Sequence, residues 1–452
     1  MSNRATWTSR VGFLIAAIGS AVGLGNIWQF PFKTAANGGA AFVVFYLLSV
    51  LLLGFPALMA EFAIGRRTKS NAIDAFEELG HRNWRIVGAL SVVTGFWILS
   101  YYDVVGGWVL RYMIGSATGA YFDAPGEFFG TIASGPEAVI GQAVFIGLVV
   151  GIVALGVADG IERATKVMVP SIVVLMIGLA AWAFTLGGAA DGYAYFLSPN
   201  FGDLLTNAPS VIPYAVSQAF FTLSLGMAIM ITYSSYVGED DSLAVDGGVI
   251  VVSNTLIGVL AGLVVFPIMF AIGADPTQTT TDALFVAVAS AFAQLPLGNL
   301  LGVVFFGVVL MAALSSAISL LEVLIAYAAD NYDVARTRLA VAAGVLLFLL
   351  GLPSAWDTGD PGGISIWFGW FDAVAYNLFL PLSVLFVVIF VSWVIGREAV
   401  DELRQGATGT EWFGPVWLWT TRIVVLVGIL VTLAFGVNEL FLVDGAIFFA
   451  PF

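Results

Sequence analysis

Residues 19–26 read GSAVGLGN, in the middle of the first long apolar segment of the chain. Two glycines flank Leu24, and the polar Asn26 follows directly. Glycine in a helix interior costs about 1 kcal/mol relative to alanine, so the stretch predicts a break in the helix. Close packing of small residues against another helix is the alternative interpretation.

A second stretch of this kind favours the break. Residues 217–226 read SQAFFTLSLG, and Thr222, Ser224 and Gly226 place polar and flexible residues in the middle of the sixth apolar segment. Interruptions at corresponding positions of two halves indicate a transporter built from inverted repeats, with its binding site at the membrane midplane. Unwound carbonyls can bind a cation, and an exposed helix N-terminus can receive a carboxylate.

The composition excludes most other classes of protein. Of the 452 residues, 60% are hydrophobic and only 10% are charged, whereas a soluble domain carries about 25% charge. The chain is therefore predicted to be a polytopic membrane protein. It has no cysteine and one histidine, which argues against disulfide scaffolds, thiolate metal sites and histidine-based catalysis. A net charge of -14 argues against nucleic-acid binding.

Eleven apolar segments, called spans 1 to 11 below, are long enough for a bilayer, which a helix crosses in about 20 residues. They are predicted at 10–36, 38–65, 86–119, 138–158, 167–187, 209–237, 246–273, 298–329, 337–353, 367–396 and 416–437. Because the first segment continues as a helix and lacks a small-residue cleavage site, we expect no cleavable signal peptide.

The basic residues predict the orientation of the chain in the membrane. If the spans alternate, 13 of the 16 Lys and Arg residues fall on one side: Arg4, Arg10, Arg66, Arg67, Lys69, Arg82, Arg85, Arg163, Lys166, Arg336, Arg338, Arg397 and Arg404. The positive-inside rule makes that side cytoplasmic. We therefore expect a multi-pass protein of the cell membrane with a cytoplasmic N-terminus and an extracellular C-terminus.

The acidic surface predicts the habitat. There are 30 Asp and Glu residues against 16 Lys and Arg. Strong salt screens the self-repulsion of such a surface, so we expect a halophile. An acidic protein of an ordinary microbe is the alternative.

Several motifs together resemble the neurotransmitter:sodium symporters, in particular prokaryotic carriers of leucine and other hydrophobic amino acids. The matching stretches are AVGLGNIW at residues 21–28, FTLSLG at 221–226, SAFAQLP at 290–296 and AALSSAISLLE at 312–322. The resemblance covers essentially the whole chain, and the count of eleven spans matches a prokaryotic branch of the family.

The resemblance implies one transmembrane domain over residues 1–452, with an all-α fold of two inverted five-helix repeats. The repeats would be residues 1–187 and 209–396, spans 1 and 6 would unwind at the midplane, and residues 416–437 would form the additional eleventh helix. Spans 1, 2, 6 and 7 would form the moving bundle, and spans 3, 4, 8 and 9 the scaffold. The chain would be a transporter and not an enzyme.

By the same resemblance we expect two bound sodium ions. The first site would be formed by Ala21, Asn26, Thr222 and Asn254, and completed by the substrate carboxylate. The second would be formed by Gly19, Val22, Ala312, Ser315 and Ser316. The alternatives are a helix–helix hydrogen bond for Asn254 and bonds to the preceding helical turn for the two serines.

The substrate implied by the resemblance is an amino acid. Carriers of monoamines in the family have Asp where this chain has Gly23, and glycine leaves room for a substrate carboxylate. An apolar wall that includes the adaptable Met227 favours a hydrophobic side chain. The expected contact residues are Ala21, Gly23, Leu24, Gly25, Ile98, Tyr102, Val105, Phe221, Thr222, Ser224, Met227, Ser316 and Leu320.

Gate residues follow from the same comparison of motifs. Arg4, Trp7, Tyr236 and Asp330 match the family's inner gate, although an Arg–Asp pair can also be a solvated surface pair worth under about 1 kcal/mol. Relatives usually have an Arg–Asp pair at the outer gate, where this chain has Gln29 and Ala375. The outer gate is therefore expected to consist of Tyr102 and Phe221 with help from Gln29.

Other properties stay open at the level of sequence. Chloride dependence is undecided, because the chain has Gly258 where the residue that decides it would stand. Asp103 is an intramembrane acid, interpreted either as a proton relay or, preferentially, as a group bonded to a neighbouring helix. A sodium-dependent amino-acid receptor that has lost transport is the alternative function. The substrate would be small and the lipid bilayer the other partner; the sequence does not indicate an oligomeric state.

Overall fold

The computed structural model describes residues 7–238, 241–276, 281–356, 364–406, 413–443, 447–449 and 451. Within these residues every regular element is a helix. In this part of the chain, nine continuous helices are long and apolar enough to cross a membrane, and a bent pair at the start brings the number to ten. The chain is an all-α polytopic membrane protein, which confirms the predicted fold class.

The membrane segments follow one another through connections of different length, the longer of which contain short helices. Their observed bounds are Arg10–Ala21 with Gly25–Ala36 for span 1, Ala40–Thr68, Arg82–Thr118, Pro136–Ala154 and Val157–Ala183 for spans 2 to 5, Phe201–Thr222 with Ile229–Ser234 for span 6, and Leu243–Ala271, Gly298–Asn331, Arg336–Ala355, Ile366–Ile395 and Phe413–Leu442 for spans 7 to 11. Shorter helices lie at Ala75–Glu78, Pro125–Ala133, Ala189–Leu197, Thr281–Gln294 and Arg397–Arg404.

Spans 1 and 6 are both interrupted. The two halves of span 1 meet at an angle of 46° across residues 22–24. In span 6, residues 223–228 are non-helical, and Ser224, Gly226 and Ala228 have φ angles of 55°, 71° and 61°. A positive φ is uncommon for residues other than glycine, and such conformations persist only where the surrounding structure holds them. The break in span 6 is therefore fixed by its surroundings.

Two predicted boundaries were wrong. Span 5 begins at Val157 instead of residue 167, after a turn at Gly156 with φ 94°. Span 6 begins at Phe201 instead of residue 209 and contains Pro209 and Pro213 within the helix. Both predicted boundaries lie where charged or proline residues end the apolar run. A helix can continue past such residues when its first turns lie outside the hydrocarbon.

The two longest helices, spans 3 and 8, pack along each other and form a wall of the molecule. The first half of span 1 packs on span 8 and on spans 5 and 7. Near the end of span 3, the rings of Tyr112 and Phe306 stack with their centroids 4.8 Å apart. This arrangement places the break in span 1 directly against span 8.

Ion pairs join segments that were predicted to share one face of the membrane. Arg10, the first residue of span 1, lies 2.6 Å from Asp246 at the start of span 7. Arg66, at the end of span 2, is fully buried and lies 2.5 Å from Glu402, in the helix after span 10. Arg67 pairs with Glu398 in that same helix. These contacts require all four segments to lie at the same end of the molecule.

Candidate functional site

A cavity lies between the two helix breaks and the wall formed by spans 3 and 8. Its lining residues are Ser20, Ala21, Gly23, Gly25, Ile98, Tyr102, Phe221, Ser224, Met227, Ile229, Ser316 and Leu320. Ten of these were predicted as substrate contacts. The structure thus brings residues from four distant parts of the chain to one place.

The remaining predicted contacts lie close to the cavity without lining it. Leu24 faces it with its backbone N–H, Thr222 contacts Asn254, and Val105 is buried one turn beyond Tyr102. Sequence reasoning missed Ser20 and Ile229. Ser20 lies inside the glycine stretch at residues 19–26. Ile229 lines the cavity because the positive φ of Ala228 turns the chain, and no sequence pattern predicts this turn.

The side chains packed against span 1 leave no room for a Cβ atom at Gly23 or Gly25. A Cβ atom at Gly23 would overlap Ser316 Oγ and lie 3.0 Å from the Tyr102 hydroxyl, and one at Gly25 would lie 2.9 Å from the Phe221 ring. The Leu24 N–H donates to the Tyr102 hydroxyl over 3.1 Å. The second half of span 1 starts here, so its N-terminal N–H groups and dipole favour a negative group.

A carbonyl of span 1 forms a polar edge on the other side of the cavity. The Ser20 carbonyl oxygen accepts hydrogen bonds from Ser316 Oγ at 2.8 Å and from Ser224 Oγ at 3.1 Å. Among the described residues, the buried Ser20 hydroxyl has no hydrogen-bond partner. The cavity therefore offers donors at one end and acceptors at the other, a pattern that suits a zwitterion.

A first group of oxygens converges on the side of span 7. The Asn254 amide oxygen lies 3.0 Å from the Ala21 carbonyl oxygen and 3.1 Å from the Thr222 carbonyl oxygen. Rotation of this amide would make both contacts N–H···O bonds, but its nitrogen would then face the Asn26 amide nitrogen at 2.8 Å. Both orientations leave like groups in contact. A cation bound among these neutral oxygens would satisfy them, since carbonyl oxygens can replace the water shell of an ion.

A second group of oxygens lies between spans 1 and 8. Ser315 Oγ is 2.6 Å from the Gly19 carbonyl, 3.0 Å from the Ala312 carbonyl and 3.3 Å from the Val22 carbonyl. One hydroxyl proton can serve only one of these acceptors well. The predicted second set is therefore assembled, except that Ser316 turns toward the Ser20 carbonyl.

No group of three or more His, Cys, Asp or Glu side chains in the described part of the chain is placed to hold a metal ion. The convergent oxygens are all neutral carbonyl, amide or hydroxyl groups. Such a set lacks the charge that divalent cations draw from carboxylates. Its chemistry fits an alkali cation.

At the inner end, Trp7 seals against span 6. Its indole N–H donates to the Tyr233 carbonyl at 3.1 Å, and its ring meets the Tyr236 ring edge-on. Asp330 accepts from the Asn71 amide at 3.0 Å. Arg4 lies outside the described residues. Tyr233 was missed, because a backbone acceptor carries no side-chain signal.

At the outer end, Phe221 lies over the cavity with Tyr376 behind it, their ring centroids 6.2 Å apart. Gln29 is 5% exposed, and its amide oxygen is without a hydrogen-bond partner among the described residues. Gln218 ties span 6 to span 1 by donating to the Gly25 carbonyl over 2.8 Å.

Asp103 and Gly258, whose roles the sequence leaves open, lie on either side of the cavity. Asp103 faces the scaffold, where the Gln142 amide of span 4 is 3.2 Å from its carboxyl oxygen. At Gly258, a Cβ atom would lie 3.7 Å from the Asn26 amide nitrogen and 4.0 Å from the Tyr46 hydroxyl. Asp103 is thus bonded to a neighbouring helix, and position 258 borders the first oxygen group.

A family model described as the sodium:neurotransmitter symporter family matches residues 4–122 and 137–441. The chain belongs to this family. The prediction from the motifs is confirmed, and the chain is a sodium-dependent transporter rather than an enzyme.

Individual relatives agree with this membership. The chain is 37% identical to YhdH, an uncharacterized sodium-dependent transporter of Bacillus subtilis, over 94% of this chain and 96% of that one. It is 25% identical to the human sodium-dependent neutral amino acid transporter SLC6A17, over 89% and 69% of the two chains. The solved structure of MhsT in complex with L-phenylalanine matches 96% of this chain and 99% of that one, with a TM-score of 0.86 and 39% identity.

Proposed function

We propose that this transporter carries a hydrophobic amino acid into the cell together with sodium, by alternating access around the cavity. The observation that carries the proposal is the pair of neutral oxygen groups that flank the cavity, each of which includes a carbonyl in or next to the break in span 1. Ions held there would bind to the same unwound backbone that faces the substrate.

The first sodium ion would bind among Ala21, Asn26, Thr222 and Asn254, with the substrate carboxylate as a further ligand. Support comes from the polar atoms around Asn254, because either orientation of its amide leaves like groups in contact. Because the carboxylate would be the only anionic ligand, sodium and substrate would each raise the affinity for the other.

The second ion would bind among Gly19, Val22, Ala312 and Ser315. Three carbonyls within 3.3 Å of one hydroxyl support this proposal. Because the site joins the bundle (span 1) to the scaffold (span 8), its ion would hold the two together. The predicted Ser316 ligand would require rotation of its hydroxyl away from Ser20.

The substrate would lie with its carboxylate at Gly23, Leu24, Gly25 and Tyr102. Its ammonium would meet Ser224 and the carbonyls of Phe221 and Thr222. Its side chain would fill the apolar end lined by Ile98, Met227, Ile229 and Leu320. The phenylalanine named with MhsT and the neutral amino acids named for the human relative support this substrate class.

We further propose that the ion-paired end of the molecule faces the cytoplasm, which places the N-terminus inside and the C-terminus outside. The support is the concentration of Arg and Lys residues at that end. The two inverted repeats, residues 1–187 and 209–396, would supply the two symmetric halves that rock around the site.

Uptake into proteoliposomes tests the proposal. Radiolabelled phenylalanine, leucine, alanine and aspartate are offered with an inward sodium gradient and with potassium in its place. We expect sodium-driven accumulation of the hydrophobic amino acids and none of aspartate. Sodium-dependent binding without accumulation would instead identify a receptor. Replacing external chloride by gluconate in the same assay decides whether a halide is required.

The second sodium site has its own test. Ser315→Ala removes the hydroxyl that gathers three carbonyls, and Ser392→Ala removes a buried hydroxyl that bonds only to the Val388 carbonyl of its own helix. We expect the first change to reduce sodium-driven uptake and the second to leave it intact. Equal effects of the two changes would show that Ser315 is an ordinary helix-bonded serine.

A further inference from the structure

The outer gate lacks the usual ion pair at Gln29 and Ala375, yet a cation lies one turn beyond. Lys33 follows Gln29 by four residues on span 1, so it lies about 6 Å further along the helix, away from the cavity. Its ammonium nitrogen is 4.8 Å from the centroid of the Tyr376 ring and 5.4 Å from that of Tyr214. These rings belong to spans 10 and 6, so one ammonium joins three helices.

Two carboxylates complete the surroundings of this ammonium. Asp372, on span 10, and Glu439, near the end of span 11, are the acidic groups whose charges act on Lys33. In the described structure, no carboxylate oxygen of either residue lies within 4.0 Å of the Lys33 ammonium nitrogen, which is the limit for a direct ion pair. The ammonium is thus held on aromatic faces, with the two anions further out.

Both acids are fixed by hydrogen bonds. The Tyr101 hydroxyl of span 3 donates to Asp372 over 3.1 Å. The Tyr214 hydroxyl donates to Glu439 over 2.5 Å, and the Asn377 amide lies 3.4 Å from the other Glu439 oxygen. The charges of the cluster are therefore preorganised, and span 11 contributes one of them.

The cluster is connected to the substrate cavity through one aromatic residue. Tyr376 packs on Phe221, which lines the cavity, and also faces the Lys33 ammonium. The Tyr376 hydroxyl donates to the Tyr214 carbonyl over 3.0 Å, which ties span 10 to span 6. Tyr376 also lies in a π-helical turn, Ala375–Phe379, a distortion that is frequent at functional sites.

We propose that Lys33 is the cation of the outer gate. Its ammonium closes the outward path by binding to the rings of Tyr214 and Tyr376 between Asp372 and Glu439. Span 11 is thereby part of the gate. This inference rests on the proposed transport function, because a gate has meaning only for a substrate that enters and leaves.

The rate at which substrate escapes to the outside tests the proposal. Tritiated L-phenylalanine is bound in sodium, and its dissociation is followed in the same sodium concentration. Lys33→Met keeps the length of the side chain and removes the charge. Loss of a partly desolvated cation–π contact should accelerate dissociation on the order of tenfold. Lys33→Arg keeps the charge, so we expect the substrate to dissociate from this variant at about the same rate as from the parent protein.

Two further variants separate the gate from general effects. Arg111→Gln removes a cation from span 3 that pairs with Glu137 away from the cluster, and it should leave dissociation unchanged. Glu439→Gln should accelerate dissociation, and the double variant with Lys33→Met should be less than additive, because both remove one shared interaction. Additive effects would overturn the role of span 11.

A second readout does not depend on the choice of amino acid. Because the chain contains no cysteine, Ala375→Cys gives a single thiol for a membrane-impermeant methanethiosulfonate reagent. Substrate with sodium should protect this thiol, and Lys33→Met should remove much of the protection. Protection that is unaffected by Lys33→Met would overturn the gate. Absence of sodium-dependent phenylalanine binding in the parent protein, together with absence of protection by any amino acid in Ala375→Cys, would contradict the proposed function instead.

Discussion

Asn254 is the side chain that supports the proposed first sodium site most directly. Its amide meets two carbonyl oxygens in one orientation and another amide nitrogen in the other. Buried polar groups in native proteins are nearly always satisfied. The conflict therefore supports the proposed sodium ion among these atoms, at the place that the family resemblance implies.

Removing the neighbouring amide should impair sodium binding. Asn26→Leu approximates the volume of the side chain and deletes the oxygen that accepts from the Gly23 N–H. Polar contacts with a charged partner are worth about 1.5–3 kcal/mol, so we expect the sodium concentration for half-maximal substrate binding to rise at least about tenfold. A sodium titration of amino-acid binding measures this shift, and an unchanged titration would place the first ion elsewhere.

The size of the substrate should depend on Met227. This side chain lines the cavity near Leu320, and the Gly95 backbone lies behind it. Met227→Phe adds volume where overpacking typically costs about 1–3 kcal/mol. We expect binding of leucine and phenylalanine to weaken relative to alanine in competition assays. Uniform weakening of all three would mean that Met227 does not contact the substrate side chain.

The family resemblance predicted most of the cavity lining, because the matching motifs place glycines and hydroxyls in the middle of spans 1, 6 and 8. They missed contributions that depend on backbone shape. Ile229 faces the cavity only because Ala228 adopts a positive φ, and Ser316 turned from the second oxygen group to the Ser20 carbonyl. The family resemblance implied Val105 as a contact, yet this buried residue does not line the cavity.

At the scale of elements, the break in span 6 is tightly constrained. Gly226 has φ 71°, and a Cβ atom there would lie 2.9 Å from the Leu380 carbonyl oxygen of span 10. Helix breaks were predictable from glycine and polar residues. The sequence of three positive φ angles was not, because serine and alanine rarely adopt them.

Gly226→Ala should therefore destabilise the break in span 6, whereas a matched glycine-to-alanine change in span 5 should not. The left-handed region costs an L-residue about 1–2 kcal/mol, and the contact with span 10 adds to this cost. Gly178→Ala, in span 5, has open space around its Cβ position and an ordinary helical conformation. We expect a lower midpoint of thermal unfolding and weaker amino-acid binding for the first variant only. Equal unfolding midpoints would show that residues 223–228 can relax freely.

At the scale of the whole molecule, the ions and the substrate should stabilise one folded state together. A ligand present at 100 times its Kd adds about 2.7 kcal/mol to the free energy of unfolding. We expect sodium to raise the midpoint of thermal unfolding above its value in potassium. A hydrophobic amino acid should raise it further in sodium but have little effect in potassium. Equal stabilisation by the amino acid in sodium and in potassium would contradict a first sodium site that the substrate carboxylate completes.

The break in span 6 also has a consequence for how the chain enters the membrane during synthesis. Phe201–Thr222 contains two prolines, and it is absent from the described helices that are apolar and long enough to cross alone. A translocon releases segments into lipid according to their own hydrophobicity. Span 6 should therefore wait beside the translocon until span 7, Leu243–Ala271, has been made, so that a ribosome stalled before residue 243 would leave it exposed to chaperones and proteases.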